Sequence, residues 1–346
     1  MKKISKLLMI TALIAVFAVG CSKGTKEAAT ESNTEAQVTS EPEATEAPEA
    51  EATEAPVTEE AGKSAIEYPY TYVDAAGRDV VIEKEPVRVA TDYLPLWETL
   101  LMLDITPVAA TGVENYLATW DPFQGMDMGE IIDLGNGAEL NFELLLEVNP
   151  DVILHQEADP SNVDVSNFEQ IAPVAVFGPK TKMDWRLSLR EVGKLVGKEE
   201  KAEEVITAFE QKLADARVKL QEKYEGQTVM QMSLMNADQY YCAYRPDLYD
   251  KENGLGLNLP EGYTTSENYE QVSMEAIVAM NPDYIFVNVF DGDEAIYEEL
   301  TSNSVWQSLK AVKDGHVIKL DGAGHAASGI ATEYTVNKMI ETLLGE

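Results

Sequence analysis

A segment of seventeen residues occurs twice in this chain, 132 residues apart. The first copy, LNFELLLEVNPDVILHQ, is residues 140–156, and the second, VSMEAIVAMNPDYIFVN, is residues 272–288. When 141–154 is aligned with 273–286, five of the fourteen pairs are identical and most of the others are apolar in both copies. Each copy reads as a glutamate, an apolar run, Asn-Pro-Asp and a second apolar run. This shared order indicates an internal structural repeat.

Each copy of the repeat predicts a helix, a stop and a strand. Residues 142–148 are apolar almost all round, which is typical of a buried helix. Pro150 ends this helix, because proline disfavours the helical conformation of the residue before it. The continuous apolar run 152–154 then predicts a strand that is covered on both faces. Residues 274–280 and 284–289 repeat the pattern.

Further short apolar runs alternate with helical patterns on both sides of a long charged stretch. They lie at 87–91, 107–110, 174–177, 228–234 and 317–320. Strands that alternate with helices favour parallel α/β sheets. Between the halves, residues 185–224 keep a helical period with a break near Gly197. The sequence therefore predicts two similar three-layer α/β lobes with parallel sheets, joined by a long interdomain helix.

The predicted domain boundaries follow from these patterns. The chain has 346 residues, a length that suits two domains. We assign 66–182 to an N-terminal lobe, 183–225 to the interdomain helix and 226–346 to a C-terminal lobe. Ligands of open α/β sheets bind outside the carboxyl ends of the strands, so we expect a binding cleft between the lobes.

The first twenty residues have the pattern of a signal peptide. Three lysines precede the apolar run 7–19, which is too short to span a bilayer, since a span needs about 20 residues. The segment ends in Ala-Val-Gly-Cys, which resembles a bacterial lipobox although Ala18 replaces the usual leucine. We therefore expect cleavage after residues 1–20 and lipid attachment to Cys21. The alternative is an ordinary secretory signal followed by a chance cysteine.

Residues 21–65 are rich in Glu, Ala, Thr and Pro and contain almost no large apolar side chain. Such a segment cannot bury enough surface to offset its ordering entropy, so we predict a disordered acidic tether. The signal contributes +3 and the tether −8 to the total charge of −35, which leaves −30 on residues 66–346. A body this acidic excludes nucleic acid as a partner. Cys242 has no second cysteine in the body, so no disulfide framework is available.

Several motifs in a fixed order resemble those of a known family. They are YVDAAGRDV at 72–80, PVRVA at 86–90, the two Glu…Asn-Pro-Asp segments, and VWQSLKAVKDGHVIKLDG at 305–322. Together they resemble the substrate-binding lipoproteins of ABC importers for ferric siderophores, haem and cobalamin, over residues 68–346. The resemblance implies a bilobed binder with a rigid interdomain helix. It also implies delivery of cargo to a permease dimer and its ATPase from the outer face of the cell membrane.

The resemblance assigns a role to one glutamate of each repeat. In the family, one glutamate on each lobe docks onto arginines of the permease, and these positions match Glu143 and Glu275. Both stand in the first turn of a predicted helix. The alternative is that each only complements the helix dipole, a contribution of about 0.3–1 kcal/mol.

Loops after the predicted strands contain the candidate cargo contacts. Aromatic rings and arginines suit a large polar or anionic chelate, because rings supply apolar contact and a guanidinium binds carboxylate or catecholate oxygens in pairs. The candidates are Tyr93, Tyr116, Trp120, Trp185, Arg186, Tyr240, Tyr241, Tyr244, Arg245 and His325.

For some of these residues a structural role is the alternative. Trp185 begins the interdomain helix and would pack there. Arg245 follows three tyrosines and is the strongest single candidate. Its structural alternative is a surface ion pair with Asp247 or Asp250.

Other functions have weaker support in the sequence. The chain has no Gly-x-Ser-x-Gly elbow, phosphate loop or His-Glu-x-x-His motif, so we do not expect an enzyme. The three histidines, His155, His316 and His325, are too scattered for a transition-metal site. We expect a monomer without a resident cofactor that binds a ferric siderophore. Haem, with His325 or a methionine as axial donor, and cobalamin are the alternatives.

Overall fold

The computed structural model describes residues 66–126, 128–136, 140–235 and 239–345. The predicted signal peptide, Cys21 and the predicted tether lie outside these residues. Within them, no helix is both long enough and apolar enough to cross a bilayer.

The N-terminal lobe is built on a five-stranded parallel sheet in the order β5-β4-β3-β6-β7. An antiparallel hairpin, β1 (Tyr70–Val73) and β2 (Asp79–Ile82), precedes it. The sheet strands are β3 (Val89–Thr91), β4 (Ala109–Ala110), β5 (Ile132–Asp133), β6 (Val152–Gln156) and β7 (Val174–Phe177). The helices are α1 (Leu94–Met102), α2 (Val113–Thr119), α3 (Phe142–Val148), α4 (Ser166–Glu169) and α5 (Pro179–Met183). Short 3-10 turns lie at Asp121–Phe123 and Pro160–Asn162.

Two consecutive helices connect the lobes. They are α6 (Trp185–Val196) and α7 (Glu199–Lys223), and Gly197 between them has a φ of 72°. This left-handed conformation is accessible to glycine and ends α6. The break in the predicted interdomain helix is therefore confirmed.

The C-terminal lobe contains a second five-stranded sheet, in the order β10-β9-β8-β11-β12. Its strands are β8 (Val229–Leu234), β9 (Tyr240–Cys242), β10 (Glu270–Val272), β11 (Tyr284–Val289) and β12 (Val317–Asp321). Its helices are α8 (Pro246–Tyr249), α9 (Met274–Met280), α10 (Glu294–Ser302), α11 (Lys310–Lys313) and α12 (Gly329–Leu344). Short 3-10 turns lie at Trp306–Ser308 and Gly322–His325. The predicted architecture of two α/β lobes joined through a long helix is confirmed.

The second sheet differs from the prediction in one respect. Strands β8, β11 and β12 are parallel, but β9 pairs antiparallel with both β8 and β10. The chain turns back directly after β8, where the Met235 amide donates to the Gln239 carbonyl at 2.9 Å. A short connection of this kind allows only antiparallel pairing, whereas parallel strands need a long crossover.

The repeated Asn-Pro-Asp has the same backbone structure in both lobes. Asn149 ends α3 with a φ of 47°, and Asn281 ends α9 with a φ of 39°. Asparagine tolerates this left-handed conformation better than most residues, so it serves as a helix C-cap. The proline that follows prevents continuation of the helix and directs the chain into β6 or β11.

The aspartate of each copy ties the repeat to the first strand of its own sheet. The Asp151 carboxylate accepts from the Val87 and Arg88 amides at 3.1 and 3.0 Å, just before β3. Likewise, Asp283 accepts from the Thr228 amide at 2.8 Å, just before β8. The two copies therefore encode the same unit: a helix, a cap, a buried strand and an anchor to the neighbouring strand.

Candidate functional site

A cavity of about 730 Å³ lies between the two lobes. Its walls come from segments that follow the carboxyl ends of β3, β4, β5 and β7 in one lobe and of β11 and β12 in the other. The residues that line it include Asp92, Tyr93, Tyr116, Trp120, Asn136, Lys182, Glu267, Tyr269, Phe290, His325 and Ser328. Parallel sheets present these loops at one edge, so the cleft lies where the strand order predicts a ligand site.

A second cavity of about 580 Å³ adjoins the first. Both are lined by Met183, Glu267 and Ala327. The second also includes Trp185 and Arg186 at the start of α6. The two cavities thus share a boundary and extend the cleft along the helices that join the lobes.

Three predicted residues form the aromatic wall of the N-terminal lobe. The rings of Tyr116 and Trp120 meet edge to face with centroids 4.6 Å apart, and Trp120 stacks on Phe123 at 6.2 Å. Tyr93 lies beside them just before α1. Burial raises the pKa of both tyrosines, so their hydroxyl groups remain protonated donors. This wall offers ring faces and neutral hydroxyl groups to a ligand.

His325 lies in the opposite wall, with Tyr269 and Phe290. Its ring stacks on Tyr269 with centroids 3.9 Å apart and meets Phe290 at 5.4 Å. Nδ1 lies 2.9 Å from the Ser233 hydroxyl. Burial, and then the charge of Arg245, lowers the pKa of His325 to about 4. The imidazole is therefore neutral at pH 7 and acts as an aromatic and hydrogen-bonding surface.

Arg245 lines the second cavity but is only 6% exposed. It donates to the Gly324 carbonyl at 3.3 Å and to the Thr332 hydroxyl at 3.0 Å. No ion pair joins it to a carboxylate within the described ranges. The surface pair with Asp247 or Asp250 is therefore not formed. Both of these acceptors are neutral, so no carboxylate of the described residues neutralises the guanidinium charge at this wall.

Trp185 and Arg186 line the same cavity but are also held by the protein. Arg186 pairs with Asp247 at 2.7 Å and with Glu210 at 3.2 Å. Its guanidinium lies over the Trp185 ring at 4.5 Å, and that ring packs edge-on against Phe209 at 5.1 Å. Trp185 therefore packs at the start of α6, as the structural alternative predicts, and it also lines the cavity.

The structure does not bring Tyr240 and Tyr241 into either cavity. Both belong to β9, where successive side chains point to opposite faces. Tyr240 shares its buried face with Cys242 and is 6% exposed in the core of the C-terminal lobe. Only Tyr244 of the three tyrosines lines the second cavity. The cause is that β9 is an antiparallel strand, whereas the sequence predicts a cleft loop at these residues.

Other lining residues were missed from the sequence. Phe290 directly follows β11, so the rule that ligands lie at strand ends would have found it. Asn136 follows β5, a strand of two residues that the apolar runs do not predict. Tyr269 and Glu267 carry no comparable signal, because they lie between α8 and β10 in a segment without helix or strand.

Glu143 and Glu275 lie away from both cavities. Both are exposed in the first turns of α3 and α9. A crossover helix runs antiparallel to the strands it connects, so its first turn lies at the edge where those strands end. The two carboxylates therefore flank the cleft side of their sheets, one on each lobe.

Glu98 connects the lobes directly beneath the cleft. It lies on α1 with no exposed surface, and its carboxylate accepts from the Ser328 hydroxyl at 2.8 Å. It also accepts from the Ile330 and Ala331 amides at 3.1 and 3.3 Å. The first turn of α12 is thus capped by the N-terminal lobe. Burial raises the pKa of Glu98 to about 7, and the three hydrogen bonds partly oppose this.

Replacement of Glu98 by glutamine will flatten the dependence of stability on pH. The folded pKa of Glu98 lies above its unfolded value, so its stabilising contribution is present below pH 4.5 and is lost as pH rises through 7. The difference between the folded and unfolded pKa values corresponds to about 3 kcal/mol. Denaturant unfolding at pH 5 and pH 8 measures it, and Glu98→Gln should lose less stability than wild type between them. An equal loss in both proteins would contradict the assignment; Glu200→Gln, on the exposed face of α7, is the matched control.

The described residues include no group of three or more His, Cys, Asp or Glu arranged to hold a metal ion. His155, at the end of β6, is instead hydrogen-bonded to Asp92.

Known proteins resemble this chain in amino-acid sequence and in fold. A family model for periplasmic binding proteins matches residues 89–323. The chain is 27% identical over 327 residues to an iron-uptake system-binding protein of Bacillus subtilis, covering 92% of this chain and 90% of that protein. It is 28% identical over 275 residues to the iron(3+)-hydroxamate-binding protein FhuD of the same organism, covering 74% and 80%.

A solved structure shares the fold. It is a FhuD fold-family periplasmic binding protein component of a Fep/Fec-like ferrichrome ABC transporter from Bacillus subtilis. The TM-score is 0.65 at 25% identity, with 79% of this chain and 99% of that chain covered.

Proposed function

Because the chain belongs to the periplasmic binding protein family, we propose that it captures a ferric siderophore in the interlobe cleft and delivers it to an ABC permease and its ATPase. The observation that carries this proposal is the cavity of about 730 Å³, walled by aromatic side chains from both lobes. Its volume lies within the usual range of about 300–1,000 Å³ for small-molecule sites. The protein acts as a monomeric carrier, and the iron chelate is its cargo rather than a resident cofactor.

The names of the similar proteins support iron chelates as the cargo class. One relative is an iron-uptake system-binding protein and another binds iron(3+)-hydroxamate. The aromatic walls, the neutral His325 and the buried Arg245 suit a chelate with apolar faces and oxygen acceptors. The role proposed is capture and release without chemical conversion.

Tryptophan fluorescence provides the test. Trp120 lines the first cavity and Trp185 the second, so a bound iron complex will quench them. Titration with ferric hydroxamate, ferric catecholate, haem and cobalamin should give saturable quenching by at least one ferric siderophore, and none by the iron-free chelators. Saturable binding of haem or cobalamin alone would transfer the proposal to those cargoes. No binding of any of the four would refute it.

We also propose that Cys21 carries the lipid that holds the protein on the extracytoplasmic face of the cell membrane. The support is the signal-like segment that ends in Ala-Val-Gly-Cys. Cys21→Ala should move the protein from the membrane fraction to the soluble extracytoplasmic fraction, because one diacyl-type anchor supplies the chains needed for stable attachment. A variant that remains with the membrane as wild type does would contradict lipidation; Cys242→Ala is the matched cysteine control.

A further inference from the structure

The charges around the cleft are predominantly negative. Seven carboxylates and four cationic side chains line the two adjoining cavities, a net of −3. His325 does not alter this balance at pH 7, because burial keeps its imidazole neutral. Internal segments 127, 137–139 and 236–238 lie outside the described residues and contain no Lys, Arg or His, so they supply no cation. A polyanionic cargo would therefore enter a cleft of its own sign.

The cations present are largely committed to other groups. Both sides of the Arg186 guanidinium are used by Asp247 and Glu210. Arg245 donates to the neutral oxygens of Gly324 and Thr332. Lys182 lies over the Tyr93 ring at 5.9 Å and is exposed. Arg217, half-buried in the wall of the second cavity, donates to the Gly254 carbonyl at 2.6 Å. The seven carboxylates outnumber these cations, so the cleft is a poor match for a cargo that carries three negative charges.

Glu267 lies where the two cavities meet and lines both. It is exposed, and within the described part of the chain it forms no ion pair with a Lys, Arg or His. A positive group on the cargo would meet this carboxylate between the aromatic walls. The folded body, with a charge of −30 on residues 66–346, attracts such a cargo over longer distances.

We propose that the cleft selects ferric chelates whose overall charge is zero or positive, and that Glu267 receives a cationic arm of the cargo. This inference rests on the proposed function, capture of a ferric chelate. Three hydroxamates carry one negative charge each and balance Fe³⁺, so a trishydroxamate complex is neutral. A free ammonium makes it +1, whereas three catecholates, with two charges each, leave −3. The neutral iron-bound oxygens remain acceptors for Arg245.

Three probes of different charge test the proposal. They are the ferric complex of desferrioxamine B, which has a free ammonium, the same complex after N-acetylation, and a ferric triscatecholate. We expect wild type to bind them in that order, with the triscatecholate about tenfold or more below the acetylated complex. Glu267→Gln should weaken the ammonium complex about fivefold and leave the acetylated complex unchanged. Glu261→Gln, an exposed glutamate six residues earlier, is the control.

The outcomes separate this inference from the function on which it rests. Tighter binding of the triscatecholate than of either hydroxamate would overturn the charge preference while leaving ferric-chelate capture intact. If Glu267→Gln weakens both hydroxamate complexes equally, or neither, the assignment of Glu267 is overturned. If none of the three complexes binds, the proposed function itself fails.

Discussion

Replacement of both Glu143 and Glu275 by alanine will abolish uptake of the cargo by cells and leave the affinity of the purified protein for the cargo unchanged. Both carboxylates are exposed at the starts of equivalent helices, and neither lines the cleft cavities. A carboxylate that docks onto a permease arginine becomes buried at the interface. Truncation of one partner in such a pair costs about 2–5 kcal/mol, so loss of two pairs removes the complex at cellular concentrations.

Uptake of radioactive iron by cells that carry only the variant measures the first half of this prediction, and titration of the purified protein measures the second. The matched control is the double variant of Glu147 and Glu298, which removes two exposed carboxylates from α3 and α10. The control should retain uptake. Normal uptake by the Glu143 and Glu275 variant would refute docking, and weakened cargo binding would place these residues in the cleft or in folding.

The helix-dipole alternative makes a different prediction for the same variant. At the start of a helix, each carboxylate contributes about 0.3–1 kcal/mol to stability. The Asn141 and Ser273 side chains also accept amide hydrogen bonds at these two helix starts and remain in the variant. The protein should therefore stay folded, with a small decrease in the free energy of unfolding. If that decrease is the only effect, the glutamates serve the helices alone.

Replacement of Arg245 by alanine will weaken cargo binding about ten- to a hundredfold. Hydrogen bonds from a charged group contribute about 1.5–3 kcal/mol, and Arg245 is the buried cation that lines the cleft without a carboxylate partner among the described residues. Arg245→Lys should recover only part of the affinity, because an ammonium cannot form the paired hydrogen bonds of a guanidinium. Calorimetric titration with the chelate that wild type binds gives these affinities.

The same variant will also lose stability. In the structure Arg245 donates to Gly324 and Thr332, and loss of a buried donor costs about 1–3 kcal/mol. Affinities must therefore be compared at a temperature where each variant is fully folded. Arg190→Ala, which removes a surface cation, is the control. Unchanged affinity in folded Arg245→Ala would remove this residue from the site.

Local patterns were enough to predict the elements of each repeat. In each copy, the proline after the helical run ends the helix and the short apolar run that follows predicts a strand covered on both faces, because these effects act over a few residues. The same reasoning nominated Tyr93, Tyr116, Trp120 and His325, which line the first cavity. Each of them follows the carboxyl end of a parallel strand, and all such ends lie at one edge of a sheet.

Those local patterns do not predict contacts between distant segments. The antiparallel return of β9 placed Tyr240 in the core instead of the cleft, and Tyr269 entered the wall from a segment without a helix or strand signal.

The amino-acid sequence alone determined two α/β lobes, the helix between them and the edge at which a ligand binds, since periodicity, proline and the repeat are local properties of the chain. Only the tertiary structure decided which charges are available in the cleft. Arg186 is neutralised by residues 24 and 61 positions away, and Glu98 reaches 230 positions to cap α12. The charge that a site presents depends on the partners that folding brings within a few ångströms, and such partners leave no periodic signal in the chain.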